Sequence, residues 1–329
     1  MCGAGVVAGA RSLSQVCPMI GIIKSSLPDG RKLSALQALE AARQLGLQGL
    51  LFNSLFDISP TLDPAELAAA RAEADRLGLE ISSMLGIVNP ALPARSQPIV
   101  DAGGGDLETG IGRLVELAAG IGIHDMFFII GMIEDRFEAP VSWQAQVDGV
   151  SDLLARCAPL LRRNGSKLLL KTHEEITTAE VAALVEKVGP DVVGVAFDPV
   201  NVLCRLEDPV AAARRIAPHA TQIYVDDAVL RFQENGIRRF LAPLGEGFVD
   251  WDAIMPQIPD AKVWIEMHSG QFAMPVFDAE WLRVQPEVAL AEFAVVLAMA
   301  AKFGAQDEPW DQAAPVARLP QALQRLLPR

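Results

Sequence analysis

The chain has 329 residues, 51% of them hydrophobic, a mean hydropathy of +0.27 and a formal net charge of −13 with a pI near 4.8. Acidic residues are spread along the chain instead of massed in one tail, a field that repels nucleic acid and anionic membrane surfaces alike. Charges or glycines interrupt every apolar run before the roughly 18 to 20 residues a spanning helix needs, so no membrane partner is expected and the protein is read as soluble.

Residues 1–17 (MCGAGVVAGARSLSQVC) carry one Arg in the middle and no charged stretch ahead of a long apolar one, so they read as a terminal extension rather than a secretory signal. From residue 19 short apolar runs alternate with helical patterns. Met19–Lys24 precedes helical Leu33–Leu45, and Gly49–Asn53 precedes Pro64–Leu77, which Asp63 and Pro64 start. Glu80–Gly86 is followed by a Pro- and Gly-rich stretch, Pro90–Gly105, expected as a long rim loop, and then by helical Leu107–Ala119. Met126–Gly131 leads to Ser142–Arg163, Lys167–His173 to Thr178–Val188, and Val192–Asp198 to Pro209–Ile216. After Gln222–Asp226 an irregular loop, Leu230–Trp251, stands where a seventh helix would be, and Lys262–His268 is the eighth run.

Eight such units predict one α/β domain, a (β/α)8 TIM barrel over residues 18–304, with 305–329 as a Pro-rich C-terminal extension ending in an Arg-bearing helix. Parallel strands buried on both faces account for the high hydropathy. The cysteines Cys2, Cys17, Cys157 and Cys204 lack C-x-x-C spacing and read as reduced thiols, which suits a cytoplasmic location.

In such a barrel the carboxyl ends of the strands carry the chemistry. Lys171, Asp198, Tyr224 and Glu266 stand there, and Lys24, Asn53, Glu134, Asn201 and Asp226 lie at or just past strand ends as candidate substrate contacts. His173 and His268 each follow the charged position of their strand by two residues, so strand alternation turns both toward the pocket. His124 and His219 precede their strands and belong to the opposite, structural face. The rim arginines Arg205, Arg231, Arg238 and Arg239 are either clamps for a phosphate or carboxylate or solvated surface.

These strand ends, together with Gly245-Glu246-Gly247-Phe248-Val249-Asp250-Trp251, resemble the xylose isomerase-like sugar-phosphate isomerase/epimerase superfamily over roughly Met19 to Ala300. The resemblance implies a metal held by Glu, Asp, His and Glu from the last four strands, the two Glu residues also handling the proton. Here those positions are Lys171, Asp198, Tyr224 and Glu266, so two ligands are replaced. A charged Lys offers no lone pair and a phenol is a poor ligand for a hard ion. The reading is therefore no metal, Lys171 acting as counter-charge for Asp198 and Glu266. The alternative is a divalent ion (Mn, Mg or Zn) on Asp198 and Glu266, rebuilt with His173 and His268.

The resemblance implies a sugar or keto-sugar isomerase or epimerase working by proton abstraction next to a carbonyl. Glu266 would be the base, and Lys171, after a drop in pKa on burial, would act with His173 or His268 on the enolate. Tyr224 and Glu246 complete the candidate substrate contacts, although Glu246 also reads as fixing its own loop. A lyase or dehydratase acting on a cyclic hydroxy-ketone through the same enolate, and a non-catalytic barrel that lost its metal site, are the competing expectations. A homo-oligomer is left open.

Overall fold

The computed structural model describes residues 19–285, 288–302 and 314–327, so the expected extension 1–17 lies outside the described residues. Eight parallel strands close a barrel: β1 Ile20–Ile23, β2 Gly49–Phe52, β3 Glu80–Ile87, β4 Asp125–Ile129, β5 Lys167–Lys171, β6 Val193–Phe197, β7 Ala220–Val225 and β10 Lys262–Ile265. The seam forms where β1 pairs β10, with Ile20 opposite Val263. Every residue of β2 and β6 is buried, because one face meets the barrel interior and the other the helices outside.

The eight strands follow the expected order, and local chemistry sets the helix bounds. Asp63 caps Pro64–Leu77 by accepting from the Ala65 N–H, and Gly78 ends it at φ 66°. Thr177 and Glu180 form a reciprocal capping box at the start of Thr178–Val188. Inside the barrel Met19, Ile23, Leu51, Phe127, Leu169, Ala196, Tyr224 and Trp264 form the packed layer beneath the site. Trp264 takes the space that a side chain on β1 would need, since a Cβ on Gly21 would come 2.3 Å from its ring. Each large apolar side chain buried this way contributes about 1.5–3 kcal/mol.

Two stretches differ from the sequence reading. Pro90–Gly105 is not a bare loop, because Pro93–Ser96 makes a 3-10 turn and Gln97–Ala102 a helix packed on Leu107–Gly120. Leu230–Trp251 is mostly an antiparallel hairpin, β8 Asp227–Gln233 and β9 Gly236–Ala242, to which β11 Phe272–Met274 adds a third strand. The buried, apolar Val229 and Leu230 of β8 and Ile237 and Leu241 of β9 make the sheet, between the arginines Arg231, Arg238 and Arg239. The helix expected at the end of the extension is Pro315–Leu326, and it docks Leu319, Ala322 and Leu326 into the core. Among the described residues no helix is long and apolar enough to cross a membrane.

Candidate active site

Lys171, the last residue of β5, stands on an aromatic floor. Its Nζ lies 4.2 Å from the Tyr224 ring centroid and 5.6 Å from that of Phe127. Asp198 and Glu266 follow directly on β6 and β10, and the ammonium sits between them, 3.0 Å from Asp198 Oδ2 and hydrogen-bonded to Glu266 Oε2. Burial works against the charge, yet Glu266 and Asp198 hold the Lys171 pKa above its ordinary value. The expected drop is corrected accordingly, and Lys171 is a fixed cation, not a base.

His268, two residues past Glu266, stands between two carboxylates. Its Nε2 is 2.9 Å from Asp198 Oδ2 and its Nδ1 is 3.2 Å from Asp226 Oδ2, which also accepts its backbone N–H at 2.9 Å. Burial opposes the charge, but Asp198 and then Glu266 raise the imidazole to about 9, so both ring nitrogens donate at neutral pH. Asp198, itself raised by burial, is held well below the usual carboxylate range by His268 and Lys171. Asn201 adds a third donor to its Oδ2 at 3.0 Å, while Oδ1 is buried with no partner. Thr172, singled out by no sequence signal, bonds the Asp198 main chain in both directions.

The structure does not bring His173 to this group. The strand ends at Lys171, so alternation no longer sets its direction, and its nitrogens meet Glu174 at 2.7 Å and Glu175 at 2.6 Å. Burial opposes the charge, yet Glu175 and Glu174 raise it to about 10. Glu174 and Glu175 lie past the end of β5, where no strand or helix periodicity marks the direction of a side chain.

Tyr224 is corrected from substrate contact to floor. It is fully buried, its hydroxyl donates to Gln222 Oε1 at 2.9 Å, and burial pushes the phenol well above 10. Lys24 is buried 3.7 Å from Asp57, half-buried Asn53 donates to Ser25, and exposed Glu134 pairs with Arg95 at 2.9 Å. Glu246 is exposed and accepts from Gln321, while the Gly-Glu-Gly loop is fixed by Asp227, which accepts from Gly245, Ala228 and Val249 N–H groups. A Cβ on Gly247 would come 2.0 Å from Asp227 Oδ1, which explains the glycine. The rim arginines are not all solvated. Arg205, Arg231 and Arg239 are buried, and Arg239 of β9 grips the Val200 and Gly270 carbonyls and Asn201 Oδ1.

Among the described residues two groups could hold a metal by ligand spacing, Asp198–Glu266–His268 and His173–Glu174–Glu175, each with its ligand atoms within 4.8 Å of one another. In the first, Lys171 Nζ already lies against both carboxylates, and the charged His268 offers no lone pair. In the second, both His173 nitrogens face carboxylates.

The fold recurs in D-psicose 3-epimerase from Clostridium cellulolyticum H10, solved with D-tagatose (TM-score 0.60, 13% identity, 86% of this chain and 98% of that one). It recurs also in a xylose isomerase-like TIM barrel protein from Mycobacterium smegmatis in complex with magnesium (TM-score 0.57, 16% identity, 89% and 100%). A 3-oxo-isoapionate decarboxylase from Pectobacterium atrosepticum is 29% identical over 104 residues, 31% of this chain and 38% of that protein. The chain spans well under half the length of the curated relatives it matches, 29% of one and 38% of the other. The family model for the xylose isomerase-like TIM barrel matches residues 39–297, and with the closed barrel and the strand-end residues above, the chain belongs to that family.

Proposed function

We propose that the protein is an isomerase or epimerase of a small polyhydroxylated ketone and that it works through an enolate held by cations of the chain itself. The observation that carries this reading is the Lys171 ammonium seated between Asp198 and Glu266. A divalent ion there would meet a fixed positive charge and a protonated His268, so the donor set does not fit one and no step is routed through a metal.

Glu266, with 19% of its side chain exposed, takes the proton from the carbon next to the substrate carbonyl. The C–H electron pair becomes the new C=C bond, and the carbonyl oxygen becomes the enolate oxygen, stabilised by the N–H donors of Lys171 and His268. The partnerless Asp198 Oδ1 accepts a substrate hydroxyl. Delivery of a proton to the opposite face of the same carbon by an acid other than Glu266 gives the epimer; delivery to the former carbonyl carbon, with the neighbouring hydroxyl proton passing to the enolate oxygen, gives the isomer. Asn201 and Asp226 act through Asp198 and His268 instead of touching the substrate.

The likeness to the decarboxylase favours a second reading, in which loss of carbon dioxide from a 3-oxo acid generates the same enolate. Incubation with D-fructose, D-tagatose, D-psicose and a 3-oxo sugar acid in deuterium oxide separates the two. Deuterium entering the recovered ketose, abolished in E266Q, is expected. Carbon dioxide release with no exchange into any ketose assigns the lyase, and neither signal sinks the catalytic reading.

A further inference from the structure

The family match ends at residue 297, yet a side chain from beyond it reaches the site. Arg318 lies on the helix Pro315–Leu326 and is 1% exposed. Its Nη2 donates to the His268 carbonyl and lies 3.4 Å from Asp226 Oδ2. That carboxylate oxygen is the one that receives the His268 backbone N–H and ring Nδ1. One guanidinium therefore ties together the two acceptors that set both the main chain and the ring of His268, and the far ring nitrogen points at Asp198.

The helix is seated for this task. Leu319, Ala322 and Leu326 are buried, Gln321 donates to the Leu244 carbonyl and Glu246, and Arg325 lies against Gly245. It also packs on the turn Lys24–Ser26, whose Ser26 hydroxyl accepts the Met267 N–H at 2.8 Å. It thus covers the rim where the first and last barrel strands meet.

Packing alone does not account for an arginine here. Arg318 Nε and Nη1 are buried without partners, and burial lowers its pKa despite Asp226. An orphaned buried donor is costly, whereas Asp226 keeps the Asp227 and His268 backbone N–H groups and the His268 ring as partners without the guanidinium. A helix needed only as a cover would do better with Met or Leu.

We propose that Arg318 is a positioning residue: by gripping the His268 carbonyl and the Asp226 carboxylate, it fixes the direction in which His268 Nε2 meets Asp198 and the substrate oxygen. This rests on the enolate reading of the site, and the test keeps the two apart. R318M and R318K are compared with the wild type in deuterium uptake by the three ketoses and in the ¹H–¹⁵N signals of the His268 ring, assigned by their loss in H268Q.

R318M is expected to keep or raise its melting temperature, to lose uptake on the order of 100-fold, the scale for a misplaced catalytic group, and to shift or broaden both ring N–H signals. R318K should recover part of each. Wild-type uptake and unshifted signals in R318M overturn the proposal, as does a variant that loses only melting temperature. Should R318M not fold, unchanged uptake and signals in R318K overturn it equally. A wild type that neither exchanges a ketose nor releases carbon dioxide from the 3-oxo sugar acid defeats the enolate reading, and the His268 signals alone then decide the role of Arg318.

Discussion

Two histidine–carboxylate clusters stand past neighbouring parts of the barrel rim, built from the same residue types and differing in what they leave over. Around His268 three carboxylates, Asp198, Asp226 and Glu266, meet three cations, Lys171, His268 and Arg318. Charge is balanced there, yet Asp198 Oδ1 has no partner. Around His173 one imidazolium serves Glu174 and Glu175, and none of the trio's buried side-chain atoms is left without a partner. Glu175 also accepts from the Gly131 N–H at 3.4 Å, bracing the end of β4. Residue type alone does not mark a reactive site. What differs is hydrogen-bonding capacity without a partner, and under the proposed function the first cluster carries the chemistry while the second is a brace.

The largest test of this contrast is Lys171→Met. It leaves Asp198 and Glu266 facing each other with the central cation gone. Stability in urea should fall by about 3–5 kcal/mol, deuterium uptake should vanish, and added manganese should restore neither. Lys171→Glu, by contrast, puts a carboxylate where the ammonium stood and should bind one manganese ion in calorimetry. A wild-type protein that binds one ion per chain through Asp198 and Glu266 would falsify the internal-cation reading.

Next comes the pair His268→Gln and His173→Gln. The first should reduce uptake about 100-fold or more, the second less than tenfold while lowering the melting temperature. A reversal of that order would make the His173 trio the reacting group.

The pH dependence of stability is a smaller effect. Both folded-state values, about 9 for His268 and about 10 for His173, lie above the 6.5 of a free imidazole. The stability they contribute is full below about pH 6.5 and is lost as pH rises through those values. The urea midpoint should decline across this window, and each Gln variant should remove its own part of the decline. The smallest expected effect is Glu246→Ala at the exposed Gly-Glu-Gly loop, within about 0.5 kcal/mol and without change in uptake. A larger loss would give the loop acid a role beyond its contact with Gln321.

Where the chain repeats, its sequence was informative. The eight strands could be placed because each is an apolar run bounded by caps and turns, and the convergence of Lys171, Asp198 and Glu266 follows from their shared position at strand ends. Alternation failed where regular structure stopped. His173 and His268 share the same offset from their charged residue, yet only His268 turns back to the site, because Asp226 and Asp198 capture its ring. The hairpin was obscured by its arginines, and Arg239 is buried only because Val200, Asn201 and Gly270 offer acceptors from distant parts of the chain. Arg318 left no local signal either. The amphipathic spacing of Leu319, Ala322 and Leu326 announces a docked helix, but not that an arginine would face inward beside them.

The position of Arg318 in the chain gives the site a schedule. It reaches the His268 carbonyl across 50 residues, and its helix rests on a rim that exists only once β1 has paired with β10. During synthesis the barrel strands all leave the ribosome before this arginine does, so the nascent barrel can close while still disarmed. If Arg318 positions His268 as proposed, activity is then the final event of maturation. The same order runs backward in the finished protein, where brief detachment of one short helix would release His268 at a lower free-energy cost than opening the barrel, loosening the site without unfolding the fold.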